Sequence, residues 1–179
     1  TNVVLNNVLY LIGGNAAVMT PGARSTHPAR VLAYDLAGDK WTEKKPTPFF
    51  ADHMTTAAGN GKIYIFGGSG AMTQEAPSAT LDTAWEYDPT ADTWKPIAKL
   101  SMKRTAGSAA EVGGKIYFIG GSTDLTAPDG RTQNGGLVVG TNESFDPATN
   151  RWTVHKPMPT PRNHTAIGVV GGKIYVIGG

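Results

Sequence analysis

Apolar and polar positions follow a pattern that this chain repeats four times. Each copy is a short apolar run that ends at two glycines. The glycine pairs are Gly13-Gly14, Gly67-Gly68, Gly120-Gly121 and Gly178-Gly179, so the first glycines are 54, 53 and 58 residues apart. A period near 50 residues is typical of a propeller or solenoid array rather than of one globular fold. Function is therefore expected where the copies differ.

A second pattern lies between the glycine pairs. An aromatic residue precedes a tryptophan by seven positions in three pairs: Tyr34 and Trp41, Tyr87 and Trp94, Phe145 and Trp152. The interval from each tryptophan to the next glycine pair is 26 residues in all three copies, whereas the interval from the preceding glycine pair to the aromatic residue is 20, 19 or 24. The variable half of the repeat is therefore expected to contain the loops.

The side chains of each copy predict four strands, named a to d. The apolar runs before the glycines are rich in β-branched and aromatic residues, which favours a buried strand b. The stretches 55–59, 106–110 and 165–169 consist mostly of small residues and are predicted as strand a, at the narrow inner end of a wedge. We expect each Tyr/Phe–Trp pair to pack beneath the glycine pair.

These residues resemble the kelch repeat, in which an apolar strand ends at Gly-Gly and is followed by Tyr-Asp and then by Trp. The resemblance covers nearly the whole chain. It implies an all-β fold of kelch-type β-propeller blades, each with four antiparallel strands. It implies little about activity, because the same fold carries both binding modules and enzymes.

The repeat also predicts how the chain is divided. We expect one kelch-repeat segment over 1–179, with units at about 1–52, 53–105, 106–163 and a partial unit at 164–179. This number of blades forms an incomplete ring, because propellers close with about four to eight blades. The remaining blades of the same protein, or a second chain, are therefore expected partners.

Composition excludes some classes of partner. The formal net charge is only +2, so nucleic acid binding is not expected. The sequence has no apolar run long enough for a membrane span. It also has no cysteine, which removes disulfides and the best marker of compartment. The sequence does not determine the compartment, and an extracellular or periplasmic location is the favoured expectation.

The predicted binding site lies on the propeller face where strand b ends and strand a begins. The variable b–c loops emerge there, and variable loops on rigid strands commonly bind ligands. Arg104 and Arg162 occupy equivalent positions on this face and suit carboxylate, phosphate or sugar groups. The alternative is a structural role, in which each arginine donates hydrogen bonds to nearby loop carbonyls. The remaining candidates are His53 and His164 on strand a, with structural roles as their alternative, and Arg24, Glu75 and Arg131 in the loops.

Two functions remain open on the sequence. The first is a non-catalytic module that recognises a protein or glycan on this face. The second is a carbohydrate-acting enzyme, similar to metal-free kelch mutarotases, that uses Arg104, Arg162 and Glu75. The cysteine of kelch-like copper oxidases and the iron-binding Glu-x-x-x-Asp-x-x-x-His pattern are both missing. We therefore predict no catalytic residue, no metal and no cofactor.

Overall fold

The computed structural model describes residues 1–14, 29–73 and 76–179, and the regular elements in these ranges are all β-strands. The first strands along the chain are β1 (Asn2–Leu5), β2 (Val8–Ile12), β3 (Val31–Asp35), β4 (Lys40–Lys44), β5 (Phe50–Asp52), β6 (Thr55–Gly59), β7 (Lys62–Phe66), β8 (Ser69–Ala71) and β9 (Ala79–Thr80). They are followed by β10 (Ala84–Asp88), β11 (Thr93–Pro96), β12 (Ser108–Val112), β13 (Lys115–Ile119), β14 (Ser122–Thr126), β15 (Thr132–Val138), β16 (Asn142–Asp146), β17 (Arg151–His155), β18 (Ala166–Val170) and β19 (Lys173–Ile177). Within the described ranges there is no helix that is both long and apolar enough to cross a membrane.

Three antiparallel sheets of four strands form successive blades. Their spatial orders are β1-β2-β3-β4 in the first blade, β6-β7-β10-β11 in the second and β12-β13-β16-β17 in the third. The hairpin β18–β19 follows them, and the described sheets do not close into a ring. The predicted all-β fold with four-stranded blades is therefore confirmed.

Two of the predicted b–c loops contain strands of their own. The loop of the third blade folds into the hairpin β14–β15, which has an irregular register between Thr123 and Leu125. The loop of the second blade supplies β8 and β9, which form a small sheet with β5 from the preceding connection. Strand a of the third blade also starts later than predicted, at Ser108 rather than at position 106.

The blades hold together through apolar cores between them. One cluster joins Tyr10 and Ile12 of the first blade to Ile63 and Tyr87 of the second. A second cluster joins Phe66, Phe118 and other residues of the second and third blades. The innermost strands are also linked by hydroxyl groups, because Thr55 Oγ1 donates to Gly107 O at 3.0 Å. Burial between sheets therefore positions the inner strands rigidly.

The predicted packing of Tyr87 and Trp94 beneath the glycine pair is wrong. Tyr87 lies opposite Ile63 in the sheet, at the end of β7 remote from Gly67. Its ring does contact Trp94, with 4.6 Å between ring centroids. The indole Nε1 of Trp94 donates to Lys45 O at 3.0 Å, so this tryptophan connects the second blade to the first.

The same connection occurs one blade further along the chain. The indole Nε1 of Trp152 donates to Ala98 O at 2.7 Å, and Ala98 N donates to the side-chain oxygen of Asn150 at 2.9 Å. Trp94 and Trp152 thus each connect their own blade to the preceding one.

Candidate functional site

The glycine pairs bring the loops of successive blades together on one face. Gly68 N donates to Arg104 O at 2.9 Å, and Gly121 N donates to Arg162 O at 2.8 Å. A Cβ atom at Gly67 would lie 1.9 Å from Arg104 O, so this close approach requires glycine. The connection that precedes each strand a therefore lies beside a b–c loop. We call this side of the molecule, where β7 and β13 end and β12 and β18 begin, the loop face.

Arg104 does not lie on the surface of the loop face. Its side chain is fully buried in the third blade, where the guanidinium forms an ion pair with Glu143 and lies 3.9 Å from the centre of the Phe118 ring. Its Nη1 atom donates to Gly120 O at 3.2 Å. Burial lowers the pKa of the guanidinium, and the charge of Glu143 opposes this shift. The predicted role of Arg104 as a ligand-binding residue is thus corrected to a structural one.

Arg162 occupies the equivalent position and keeps part of the same interaction. Its Nη1 atom donates to Gly178 O at 2.7 Å, as that of Arg104 does to Gly120 O, and its side chain is half-buried. The two guanidiniums therefore point into successive blades rather than converging on one ligand. Both arginines bind loop carbonyls, which is the alternative that the sequence left open.

The two predicted histidines, in contrast, meet at the inner edge of the loop face. His53, Ala106 and His164 are equivalent residues of successive blades, and a chain of backbone hydrogen bonds links them: Ala106 N donates to His53 O and His164 N donates to Ala106 O, both at 2.8 Å. All three have a left-handed backbone, with φ of 48°, 54° and 51°. Non-glycine residues adopt this conformation at a cost, and such residues are frequent at functional sites.

The imidazole rings of His53 and His164 approach each other across Ala106. Their centroids are 5.4 Å apart and their planes are nearly perpendicular, at 88°. The Nδ1 atom of His53 lies 2.9 Å from Oδ1 of Asp52, whose side chain is mostly buried, while half of the His53 side chain is exposed. The Asp52 carboxylate therefore contacts the His53 ring at Nδ1.

A cavity of about 220 Å³ opens beside these rings. Its lining consists of His53, Ser69, Thr105, Ala106, Ser122, Asn134, Gly135, Asn163 and His164. Asn163 Nδ2 donates to Ser122 Oγ at 2.7 Å, and Asn134 Nδ2 donates to Ser78 O at 3.0 Å. The cavity thus joins the inner strands to the loops of two blades.

The hairpin β14–β15 stands beside this cavity and carries Arg131 near its tip. The Arg131 side chain is exposed, and its Nε donates to Asp129 at 2.7 Å. The sequence candidates Arg24 and Glu75 lie outside the described residues. The structure therefore brings His53 and His164 together, separates Arg104 and Arg162 from them, and places Arg131 on a neighbouring loop.

A larger hollow of about 620 Å³ lies elsewhere, between the third blade and the hairpin β18–β19. Its lining includes Arg162, Ile174, Val176 and Lys156. Lys156 follows Trp152 by four residues, as Lys45 follows Trp41 and Ala98 follows Trp94. Lys45 and Ala98 each accept a hydrogen bond from the tryptophan of the next blade, and Lys156 is the equivalent residue at this hollow.

Sequence reasoning missed several residues of the site. Asn163 and Ser122 adjoin predicted residues along the chain, but nothing in their spacing shows that they meet. Glu143 lies between Asn142 and Ser144 in the sequence, so its polar neighbours gave no signal that its side chain is buried. In the part of the chain that the structure describes, no three His, Cys, Asp or Glu side chains form a group suited to a metal ion.

Comparisons with known proteins agree with this fold. The family model of the KLHDC2/KLHL20/DRC7 Kelch-repeats domain matches residues 1–179. The solved structure of YjhT superimposes with a TM-score of 0.74 at 19% identity, covering 98% of this chain and 55% of that chain.

Curated relatives extend well beyond the matched region. Kelch-like protein terF of Aspergillus terreus is 33% identical over 83% of this chain and 32% of its own length. Alpha-scruin of Limulus polyphemus is 30% identical over 98% of this chain and 18% of its own length, and Kelch-like protein 25 of Xenopus tropicalis is 28% identical over 98% and 27%. The chain thus spans between about a fifth and a third of these relatives, and it belongs to the Kelch-repeat domain family.

Proposed function

We propose that this chain is a protein-interaction module that binds its partner on the loop face. The observation that carries the proposal is the cavity at His53 and His164, with the hairpin β14–β15 beside it. Rigid inner strands hold the cavity, and the loops around it differ from blade to blade. This combination is common in binding sites.

The opposite side of the blades lacks such variation. The c–d turns begin at Asp35, Asp88 and Asp146, and in each the carboxylate accepts a hydrogen bond of 2.9 Å from the backbone two residues later. All three turns therefore share the same stabilising hydrogen bond between an aspartate side chain and the backbone. The loop face is therefore where a partner finds features that are particular to this chain.

Exposed aliphatic side chains favour a protein as the partner. Leu125, Leu137 and Val138 of the hairpin are 43%, 46% and 39% exposed. Protein interfaces combine an apolar centre with surrounding polar groups, and here side chains such as His53, Asn134 and Asn163 at the cavity supply polar groups. A sugar-acting enzyme has less support, because one of its predicted residues, Arg104, is buried and ion-paired.

Affinity capture from cells of the source organism, followed by quantitative mass spectrometry, tests the proposal. We expect the double variant Leu125→Ser/Leu137→Ser to lose at least one partner that the natural chain captures. The matched control is Val154→Ser/Val170→Ser, which removes two valines that are 66% and 68% exposed but lie on β17 and β18. Circular dichroism melting verifies that both variants fold.

The proposal fails if the hairpin variant retains every partner. It also fails if the control variant loses the same partners to the same extent, because the binding surface would then include the strands rather than the loop face.

A further inference from the structure

The two histidines of the cavity have a separation suited to joint binding of one metal ion. Imidazole nitrogens bind zinc at about 2 Å, so two rings on one tetrahedral ion have centres roughly 5 Å apart. The observed distance between the centroids of His53 and His164 is 5.4 Å. The rings are nearly perpendicular, at 88°, so joint binding requires each ring to rotate until one of its nitrogens faces the ion.

Asp52 gives His53 the second feature of a ligand. Nδ1 of His53 lies 2.9 Å from Oδ1 of Asp52, so Nε2 is the ring nitrogen that remains available to a metal ion. Metal-binding histidines commonly donate their other nitrogen to a carboxylate, which fixes the tautomer and makes the ring a better ligand. A negative charge behind the ring also favours a cation in front of it.

The cavity offers oxygen atoms and room for water as further ligands. The amide nitrogens of Asn134 and Asn163 donate to Ser78 O and Ser122 Oγ, and the amide oxygens are the atoms of these side chains that can bind a metal ion. The volume of about 220 Å³ accommodates an ion with several waters. An ion at this position would keep open coordination positions, since only two imidazoles face it.

We propose that His53 and His164 bind one divalent transition-metal ion at the mouth of this cavity, with Asp52 orienting His53. Imidazole suits zinc, copper and nickel, whereas magnesium and calcium require oxygen ligands. The sequence predicts no metal because the two histidines belong to different repeat units, and the fold brings them together. Metal binding here does not depend on the proposed protein partner.

Isothermal titration calorimetry of the full chain, freed of metal by chelation, with ZnCl₂ and NiCl₂ tests this site. We expect one ion per chain for each metal and no binding of MgCl₂. His53→Ala and His164→Ala should each abolish binding, and Asp52→Asn should weaken it about tenfold or more through the orientation of His53. The matched control is His155→Gln, because His155 lies elsewhere, bonded to Ser144 and stacked on Tyr117.

Three outcomes overturn the proposal: no binding to the natural chain, unchanged binding after His164→Ala, or an equal loss in the His155→Gln control. Melting by circular dichroism shows whether each histidine variant remains folded. If His53→Ala unfolds the chain, His53→Gln with Ni²⁺ is the deciding measurement, and retained affinity in that variant contradicts the site. Failure of the metal site would leave the capture experiment unaffected, so the two proposals are separable.

Discussion

The second and third blades differ at one pair of equivalent interior positions, which is charged in the third blade and uncharged in the second. In the third blade Arg104 forms a buried ion pair with Glu143. The equivalent residues of the second blade are Ala51 and Trp85, because Trp85 lies opposite Ile65 just as Glu143 lies opposite Phe118. Ala51 is fully buried, and Trp85 contacts Phe49 with 5.7 Å between ring centroids. The repeat therefore fixes where a side chain goes without fixing its chemistry.

This comparison explains why an arginine that looks like a binding residue is structural. A buried ion pair contributes less than its attraction suggests, because both charges lose their hydration. Removing one partner is nevertheless severe, since the other charge remains buried. The two positions of the pair are accordingly linked: an arginine before β12 requires an acid on β16, and an alanine leaves room for a tryptophan.

The largest expected effect is that of Arg104→Ala. We expect a loss of about 3–5 kcal/mol in the free energy of unfolding, because the Glu143 carboxylate would be left buried without its cation. Urea denaturation followed by fluorescence measures this difference. A loss below about 1 kcal/mol would mean that Arg104 is solvated in solution and would restore it as a candidate for ligand binding.

Replacing Trp152 or Trp41 by alanine should show how much stability a tryptophan contributes when it is packed between two blades and when it is half-exposed. Trp152→Ala should cost about 3 kcal/mol, because Trp152 packs against the second core and donates to Ala98 O. Trp41 is 49% exposed, so Trp41→Ala should cost about 1 kcal/mol. The same denaturation measurement compares them, and equal costs would contradict the assigned role of Trp152 between blades.

Alkaline pH should destabilise the second blade. Burial, followed by the nearby charge of Glu86, raises the pKa of Tyr64 to about 12. The unfolded chain therefore releases this proton first, and stability falls as the pH rises from about 10 to 12, by roughly 2 kcal/mol for this group. Unfolding at pH 9.5 and 11.5 should show a smaller pH effect in Tyr64→Phe. An unchanged pH effect in that variant would exclude Tyr64 as a cause.

Introducing the residues of the second blade into the third blade tests directly whether these interior positions are equivalent. The double variant Arg104→Ala/Glu143→Trp should recover most of the stability lost in Arg104→Ala and come within about 1–2 kcal/mol of the natural chain. A double-mutant cycle with both single variants measures the coupling. Additive losses would show that the two blades do not share this interior position.

Arg162→Ala should have the smallest effect. Its side chain is half-buried and keeps one hydrogen bond, to Gly178 O, so we expect a loss of about 1 kcal/mol or less. Comparison with Arg104→Ala under identical conditions isolates the contribution of the acidic partner. A loss as large as that of Arg104→Ala would indicate a further buried partner for Arg162.

Much of the fold could be predicted because it depends on local signals. The apolar runs and glycine pairs located strand b in every copy, and counting back from strand b located the equivalent residues Ala51, Arg104 and Arg162. The partner of Arg104 could not be found this way, since Glu143 comes from a strand two elements further along the same sheet. The approach of His53 to His164 depends on how tightly the inner strands pack, which spacing along the chain does not reveal.

The central claim is that a partner binds on the loop face. Hydrogen–deuterium exchange of the chain, alone and in complex with the partner found by capture, tests it most directly. We predict slower exchange in residues 122–138 and 162–164, with unchanged exchange in the c–d turns at 88–92 and 146–150. Slower exchange confined to those turns would contradict the claim and move the binding surface to the opposite side of the blades.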